Sequence, residues 1–339
     1  MSMLQRAKKS GAKFLNPVET QVGGFRMALK LLPLYLSNHE ETEPRRPLGP
    51  FTTDPRVYET PPPTGLRITW FGHSCLLLEL DGLNILIDPI WDLRASPLSF
   101  LGPRRFFPPT IPLDQLPRLD LVLLSHDHYD HLGAETIRTL ARQRPDLRWA
   151  CPLAVGPVLS GFGAPAARIT ELDWTEALEL PGGLTVTALP SRHFSGRRIS
   201  NRFETLWASF VLAGPRHKVF YGADSGLWDG FTTIGQEYGP FDLILLEIGA
   251  FHPLWSDIHM GPDGAVQAFE ALGGGVFMPI HWGLFNLAMH AWRQPIERVH
   301  ALAAERSLKL FSPEPGRPQD FHKQEEHRSI WWSEDPPPA

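Results

Sequence analysis

Leu121-Val122-Leu123-Leu124-Ser125-His126-Asp127-His128-Tyr129-Asp130-His131-Leu132-Gly133 is the stretch that decides the fold. An apolar run that reads as a strand ends in the pattern H-x-H-x-D-H. A folding core has no use for crowded imidazoles and a carboxylate at that point, whereas a divalent cation takes both as ligands. Side chains alternate along extended backbone, so His126 and His128 point the same way and can clasp one ion. Asp130 and His131 are adjacent, so the chain must turn for both to face a second ion, and Gly133 follows closely. Tyr129 stands between the two pairs, within reach of whatever binds above them.

Four ligand-type side chains do not complete two ion sites. Downstream, His193 (in Pro190-Ser191-Arg192-His193), Asp224 (in Gly222-Ala223-Asp224-Ser225-Gly226) and His281 (after Phe277-Met278-Pro279-Ile280) each follow an apolar run. Loops over a rigid scaffold are where such groups converge. Alone, a histidine at a strand end reads as a hydrogen-bonded surface residue, and the aspartate reads as a turn former. In this order behind H-x-H-x-D-H, they read as one constellation.

The 339 residues carry a formal charge of −5 and are 42% hydrophobic, enough to build one large domain or two ordinary ones. The acidic balance argues against a nucleic-acid groove. It leaves room for a small anionic substrate, because bound cations reverse the local sign. Cys75 and Cys151 are far apart and belong to no metal-binding pair; buried, reduced thiols in a reducing compartment are expected. Arg6, Lys8, Lys9 and Lys13 have no apolar stretch of the secretory kind behind them. Residues 24–37 are the most apolar part of this end. They contain Arg26, Lys30 and Pro33 and fall short of the ~20 residues that span a bilayer, so a docking helix or arm is preferred to an interfacial anchor.

Texture divides the chain into an arm (residues 1–65), rich in proline from Pro44 to Pro63, a domain (66–312) and a polar, proline-containing tail (313–339). The arm is expected to pack on or near the core. The tail is expected to add a short strand or loop and then to end loosely ordered. Strand-like runs are 66–71, 75–80, 83–87, 119–124, 148–151, 184–189, 205–212, 217–221, 243–247 and 276–280. Helical patterns occupy 134–144, 262–272 and 295–305. Asp81-Gly82 is a hairpin turn signal. Strands with helices in both halves predict two sheets covered by helices.

The constellation resembles that of the metallo-β-lactamase-fold hydrolases. Several further motifs narrow the likeness. They are Trp70-Phe71-Gly72-His73-Ser74, Ile87-Asp88-Pro89, Arg94-Ala95-Ser96-Pro97, Gly102-Pro103-Arg104-Arg105-Phe106, Glu171-Leu172-Asp173-Trp174, Gly239-Pro240-Phe241-Asp242, Ile248-Gly249-Ala250 and Ile280-His281-Trp282-Gly283. Over roughly residues 45–300 the chain resembles the N-acylphosphatidylethanolamine-hydrolysing phospholipase D family and its bacterial relatives.

The resemblance implies an αββα sandwich of the α/β (α+β) class, two mixed sheets flanked by helices, with two Zn2+ at one edge. Iron and manganese are the alternative metals. It implies His126, His128 and His193 on one ion, Asp130, His131 and His281 on the other, and Asp224 between them. Tyr129 and His259 correspond to residues that contact the substrate phosphate. Asp130, Asp224 and His259 are the expected catalytic residues. His73 and His252 are expected in supporting or structural roles, and Asp88 as a hydrogen-bonding brace for the ligand loop. The segment 197–203, the arm and the tail depart from the animal members.

The expected activity is zinc-dependent hydrolysis of a phosphodiester, a glycerophospholipid of the N-acyl-phosphatidylethanolamine type, by hydroxide from a metal-activated water. The alternatives are hydrolysis of a lactone, ester or β-lactam and, behind that, an iron-loaded redox protein. The apolar residues Phe251, Leu254, Trp255, Leu284, Phe285, Leu287, Met289 and Trp292 are expected to be mostly core, with some lining an acyl groove. The expected location is cytoplasmic, with peripheral contact at the inner face of the membrane aided by Arg26 and Lys30. A homodimer is compatible with the sequence, and no nucleic-acid partner is expected.

Overall fold

The computed structural model describes residues 4–23, 30, 33–34, 37–322 and 327–333. The arm opens with the small hairpin β1 (Lys9–Ser10) and β2 (Lys13–Phe14), which buries the Phe14 ring in the core. The first sheet is laid down by β3 (Leu66–Trp70), β4 (Leu76–Leu80), β5 (Leu83–Ile87), β6 (Leu121–Leu123), β7 (Trp149–Pro152) and β8 (Ile169–Leu172). The second comprises β9 (Ala177–Glu179), β10 (Thr185–Leu189), β11 (Ser209–Ala213), β12 (Lys218–Tyr221), β13 (Leu243–Glu247) and β14 (Val276–Ile280). The tail adds β15 (Phe311–Ser312), β16 (Gln319–Asp320) and β17 (His327–Arg328). Helices are α1 (Ala134–Gln143), α2 (Gly156–Gly161), α3 (Gly230–Tyr238), α4 (Gly261–Ala271) and α5 (Gln294–Arg306).

The sheet orders are β16-β3-β4-β5-β6-β7-β8 and β14-β13-β12-β11-β10-β9. Strands β5 to β8 run parallel, as do β12 to β14, and the other pairs within the two sheets are antiparallel. The β4–β5 hairpin turns on Asp81 and Gly82, both with positive φ (48° and 94°), as a primed two-residue turn requires. Period two sorts the strand residues between two cores. Leu76, Leu78 and Leu80 face the second sheet, together with Val186, Phe210 and Leu245. Leu77, Leu86 and Val122 face the other way, against Ile137 and Leu140 of α1 and Leu159 of α2. Residues of α3, α4 and α5 join the second sheet's core, including Phe231, Phe269 and Val299. The result is the expected layering of helices, two mixed sheets and helices. Cys75 and Cys151 are buried and free.

Three expectations shift. Residues 205–208 are not strand: Leu206 N–H donates to Leu153 and Ala208 N–H to Ser125, so this segment ties the two sheets together before β11 begins. Helices α2 and α3 were not among the expected helices, and in α3 Gly230 and Gly235 are poor helix formers. A Cβ at Gly235 would stand 2.8 Å from the backbone of Leu272, so the close approach of α4's end requires glycine there. The described residues of the tail, 313–322 and 327–333, are docked on the domain. β16 extends the first sheet, Arg67 bridges Glu79 and Asp320, and Trp331 stacks on Trp282 at 5.3 Å. The expected loose end, residues 334–339, lies outside the described residues, as does most of 24–37, including Arg26. Among the described residues, no helix is long and apolar enough to cross a membrane.

Candidate metal centre

The seven expected ligands meet at one edge of the sandwich, on the loops that follow β6, β10, β12 and β14. In one group, His126 Nε2 lies 2.8 Å from His128 Nδ1, and His193 Nε2 lies 3.3 Å from the same atom. Asp224 Oδ2 is 3.8 Å from His126 Nε2 and 3.6 Å from His193 Nε2. In the other, Asp130 Oδ2 is 3.5 Å from His131 Nε2 and 3.4 Å from His281 Nε2. Asp224 again closes the group, 3.2 Å from His131 Nε2 through Oδ1 and 3.1 Å from His281 Nε2 through Oδ2.

These spacings suit cations. Tetrahedral N and O ligands at roughly 2.0–2.1 Å from an ion stand about 3.3 Å from one another. The buried Nε2 atoms of His131 and His281 and Oδ1 of Asp224 have no hydrogen-bond partner. Orphaned polar atoms inside a protein are costly, so three of them converging call for a cation.

The surrounding hydrogen bonds set the ring tautomers. Asp88 is fully buried. Its Oδ1 accepts the Ser125 N–H (2.7 Å), and its Oδ2 accepts from Ser125 Oγ (2.5 Å), His131 Nδ1 (2.7 Å) and Tyr221 OH (2.5 Å). With its proton given to Asp88, Ser125 Oγ takes the Nδ1–H of His126 at 2.9 Å. His193 Nδ1 donates to the Ile258 carbonyl at 2.9 Å. All three rings therefore turn an Nε2 lone pair inward, the arrangement that outer hydrogen bonds impose on metal-binding histidines. His281 sits at φ 63°, with its N–H on the His73 carbonyl, while the His73 N–H bonds Trp282. Any Cβ at Gly249 would collide with the His281 carbonyl.

Charge follows the same plan. Burial would raise Asp224 and Asp130, but His131 foremost, with His281 and, at Asp130, His73, holds both well below the usual carboxylate range. Burial lowers His126 and His193. It would lower His281 too, but Asp224 and Asp130 outweigh it and push that ring up to about 10. The two carboxylates thus draw positive charge to the point where a cation would sit.

Supporting residues divide as expected, with two departures. His73 is buried, and its Nε2 lies 2.9 Å from Asp130 Oδ2; burial, then His281, drives its pKa down to about 3. His252 accepts the Leu254 N–H and stacks on Trp255, a local role. His259 lines the cavity over the metal groups, about 320 Å³ in volume, together with His128, Asp130, Arg202, Trp255 and Leu287.

Tyr129 departs from expectation. Its hydroxyl donates to the Arg197 carbonyl at 2.8 Å, the Arg197 guanidinium covers its ring at 3.9 Å, and it lines a separate cavity with Trp91, Arg138 and Phe162. The second departure is Glu247, which sequence reading did not single out. It is fully buried at the end of β13 and accepts from His259 Nδ1 at 2.6 Å and Met260 N–H at 3.0 Å. An acidic residue closing the apolar run Leu243-Ile244-Leu245-Leu246 was the signal available. Of the late apolar residues, Trp255 and Leu287 line the cavity, whereas Leu284, Phe285, Met289 and Trp292 are buried in the core.

Comparison with known proteins agrees with this fold. Residues 83–282 match the family described as Beta-lactamase superfamily domain. An uncharacterized protein of Mycobacterium tuberculosis is 43% identical over 290 residues, which is 84% of this chain and 76% of that one. The N-acyl-phosphatidylethanolamine-hydrolyzing phospholipase D 1 of Caenorhabditis elegans is 37% identical over 233 residues, 66% of this chain and 65% of the worm protein. Among solved structures, Igni18, a metallo hydrolase of Ignicoccus hospitalis, shares the fold with a TM-score of 0.59 at 24% identity, over 76% of this chain and 98% of that one. The chain therefore belongs to the β-lactamase superfamily, as a metal-dependent hydrolase of the metallo-β-lactamase fold with relatives among the N-acylphosphatidylethanolamine-hydrolysing phospholipases D.

Proposed function

We propose that the centre holds two divalent cations, zinc foremost, and hydrolyses a phosphodiester of the N-acyl-phosphatidylethanolamine type. In this reading His126, His128 and His193 hold one ion, Asp130, His131 and His281 hold the other, and Asp224 bridges them. The observation that carries it is the position of Asp224, with one carboxylate oxygen 3.6–3.8 Å from the first group's Nε2 atoms and the other 3.2 Å from His131. The ions would supply Lewis acidity and a water ionised near neutral pH.

The chain's own residues orient the substrate. Glu247 occupies His259 Nδ1, which leaves Nε2 to meet a phosphate oxygen or to hold the proton destined for the leaving alcohol. Trp255 and Leu287 offer apolar surface to an acyl chain. Tyr129 braces the ligand loop through Arg197 instead of touching phosphate. The activity carried by the worm enzyme's name supports the phosphodiester over a carbonyl substrate. Contact with the inner face of the membrane, from the cytoplasm, follows if the substrate is a bilayer lipid.

The test is a parallel assay of zinc-replete protein on bis(p-nitrophenyl) phosphate, an N-acyl-phosphatidylethanolamine and a lactone, with elemental analysis of the same sample. Cleavage of both phosphodiesters by zinc-loaded protein is expected. Lactone turnover without phosphodiester cleavage would overturn the substrate class, and iron in place of zinc would overturn the metal.

A further inference from the structure

Arg202 is the sole lysine or arginine among the described residues that line the metal cavity. It is half-buried. Its Nη1 donates to the Gly23 carbonyl at 2.6 Å, and among the described residues its guanidinium has no carboxylate partner. The neighbouring arginines differ. Arg192 pairs with Asp257 at 2.7 Å and donates to the Glu19 carbonyl. Arg197 donates to the carbonyls of Asp127 and Leu132. Those two are satisfied by the protein and act as clamps, whereas the fork of Arg202 is largely unused.

The fork is also held in place. It lies 4.7 Å from the Phe194 ring centroid and 5.9 Å from that of Phe203. Phe194 in turn packs its ring 4.5 Å from that of His128, one of the metal-type ligands. Aromatic faces fix a guanidinium at little cost to its charge. An arginine stays protonated at neutral pH even when burial lowers its pKa, as it does here. A planar fork of N–H donors matches the oxygens of a phosphate.

We propose that Arg202 is the anion-recognising residue of the cavity, donating to a non-bridging oxygen of the phosphodiester and selecting it over neutral esters and lactones. This rests on the phosphodiester reading above. It also gives a chemical sense to the segment 197–203, where the chain departs from the animal lipid hydrolases: selectivity here would be set by a fixed cation beside the metal ligands.

The experiment compares wild type, R202Q and R202K, each with its zinc content measured. The substrates are bis(p-nitrophenyl) phosphate and the neutral ester p-nitrophenyl acetate, and inorganic phosphate serves as competitive inhibitor. A hydrogen bond between charged partners corresponds to about a tenfold change or more in binding. R202Q is therefore expected to lower the phosphodiester-to-ester ratio of kcat/KM about tenfold, mostly through KM, and to weaken phosphate inhibition by a similar factor. R202K, which keeps the charge without the fork, should fall between. If both substrates lose activity in equal proportion, Arg202 merely holds the arm through Gly23 and the proposal fails. An unchanged ratio with unchanged phosphate inhibition also sinks it. Should wild type cleave only the neutral ester, the phosphodiester function fails, while phosphate inhibition of that reaction still decides Arg202.

Discussion

Asp88 carries more of the centre than its position, after β5 in the sheet opposite that of Asp224, suggests. It touches no candidate ion, yet it receives Ser125 Oγ, His131 Nδ1 and Tyr221 OH on a single oxygen and so sets the facing of His126 and His131 together. Asp88→Asn keeps the shape but cannot accept all these donors. It should weaken zinc binding by about tenfold to a hundredfold, read by competition with a chelator. Unchanged affinity would remove Asp88 from the design. At this scale the candidate ligands stand out because their chemistry is written in residue type and spacing: few roles other than metal binding gather H-x-H-x-D-H, His193, Asp224 and His281. Orientation was not legible. Tyr129 is turned away by its hydrogen bond to Arg197, sixty-eight positions on. Glu247 stands out in the sequence as the acidic end of an apolar run, but its partner, His259, is set by tertiary placement.

The arm reaches the centre from a distant part of the chain. Asn16 grips the backbone of His193 at two points: its Nδ2 donates to the His193 carbonyl at 2.7 Å, and its Oδ1 accepts the His193 N–H at 2.9 Å. The ring that these bonds steady is one of the three in the first group. Asn16→Ala should therefore release zinc faster than wild type in a chelator chase, with the secondary structure intact by circular dichroism. An equal rate would reduce the arm to packing. Sequence reading anticipated an arm near the core, but the contacts themselves depend on tertiary placement. The same distinction explains the elements. Strands with strong apolar patterns, such as β4 and β13, were found within a residue or so. Helix α3 was hidden by glycines that serve its neighbour, and residues 205–208 read as strand because they are apolar, although their hydrogen bonds go to other elements.

The sandwich brings its ligand loops together by ending β5 to β7 and β12 to β14 in parallel at one edge, the tail closing the first sheet on its far side. His300 of α5 reports on that closure. It packs against Trp332 at 4.9 Å and lies 3.2 Å from Ser312 Oγ. Burial first, and Arg328 second, lower its pKa to about 4. The unfolded chain takes up this proton near pH 6.5, while the folded chain refuses it until about pH 4. The stability from this group is present above pH 6.5 and is lost as the pH falls toward 4. His300→Gln should thus flatten the decline of Tm across that window; an unaltered slope would show that the tail's packing is not sensed there.

The central claim is that seven side chains hold a pair of cations around Asp224. It is tested most directly by the metal content of wild type and Asp224→Ala, each loaded with zinc, desalted and measured by elemental analysis. Wild type should retain about two ions per chain, and the variant one or none, because the carboxylate closes both groups. Equal occupancy in the two proteins, or no retained metal in wild type, would contradict it.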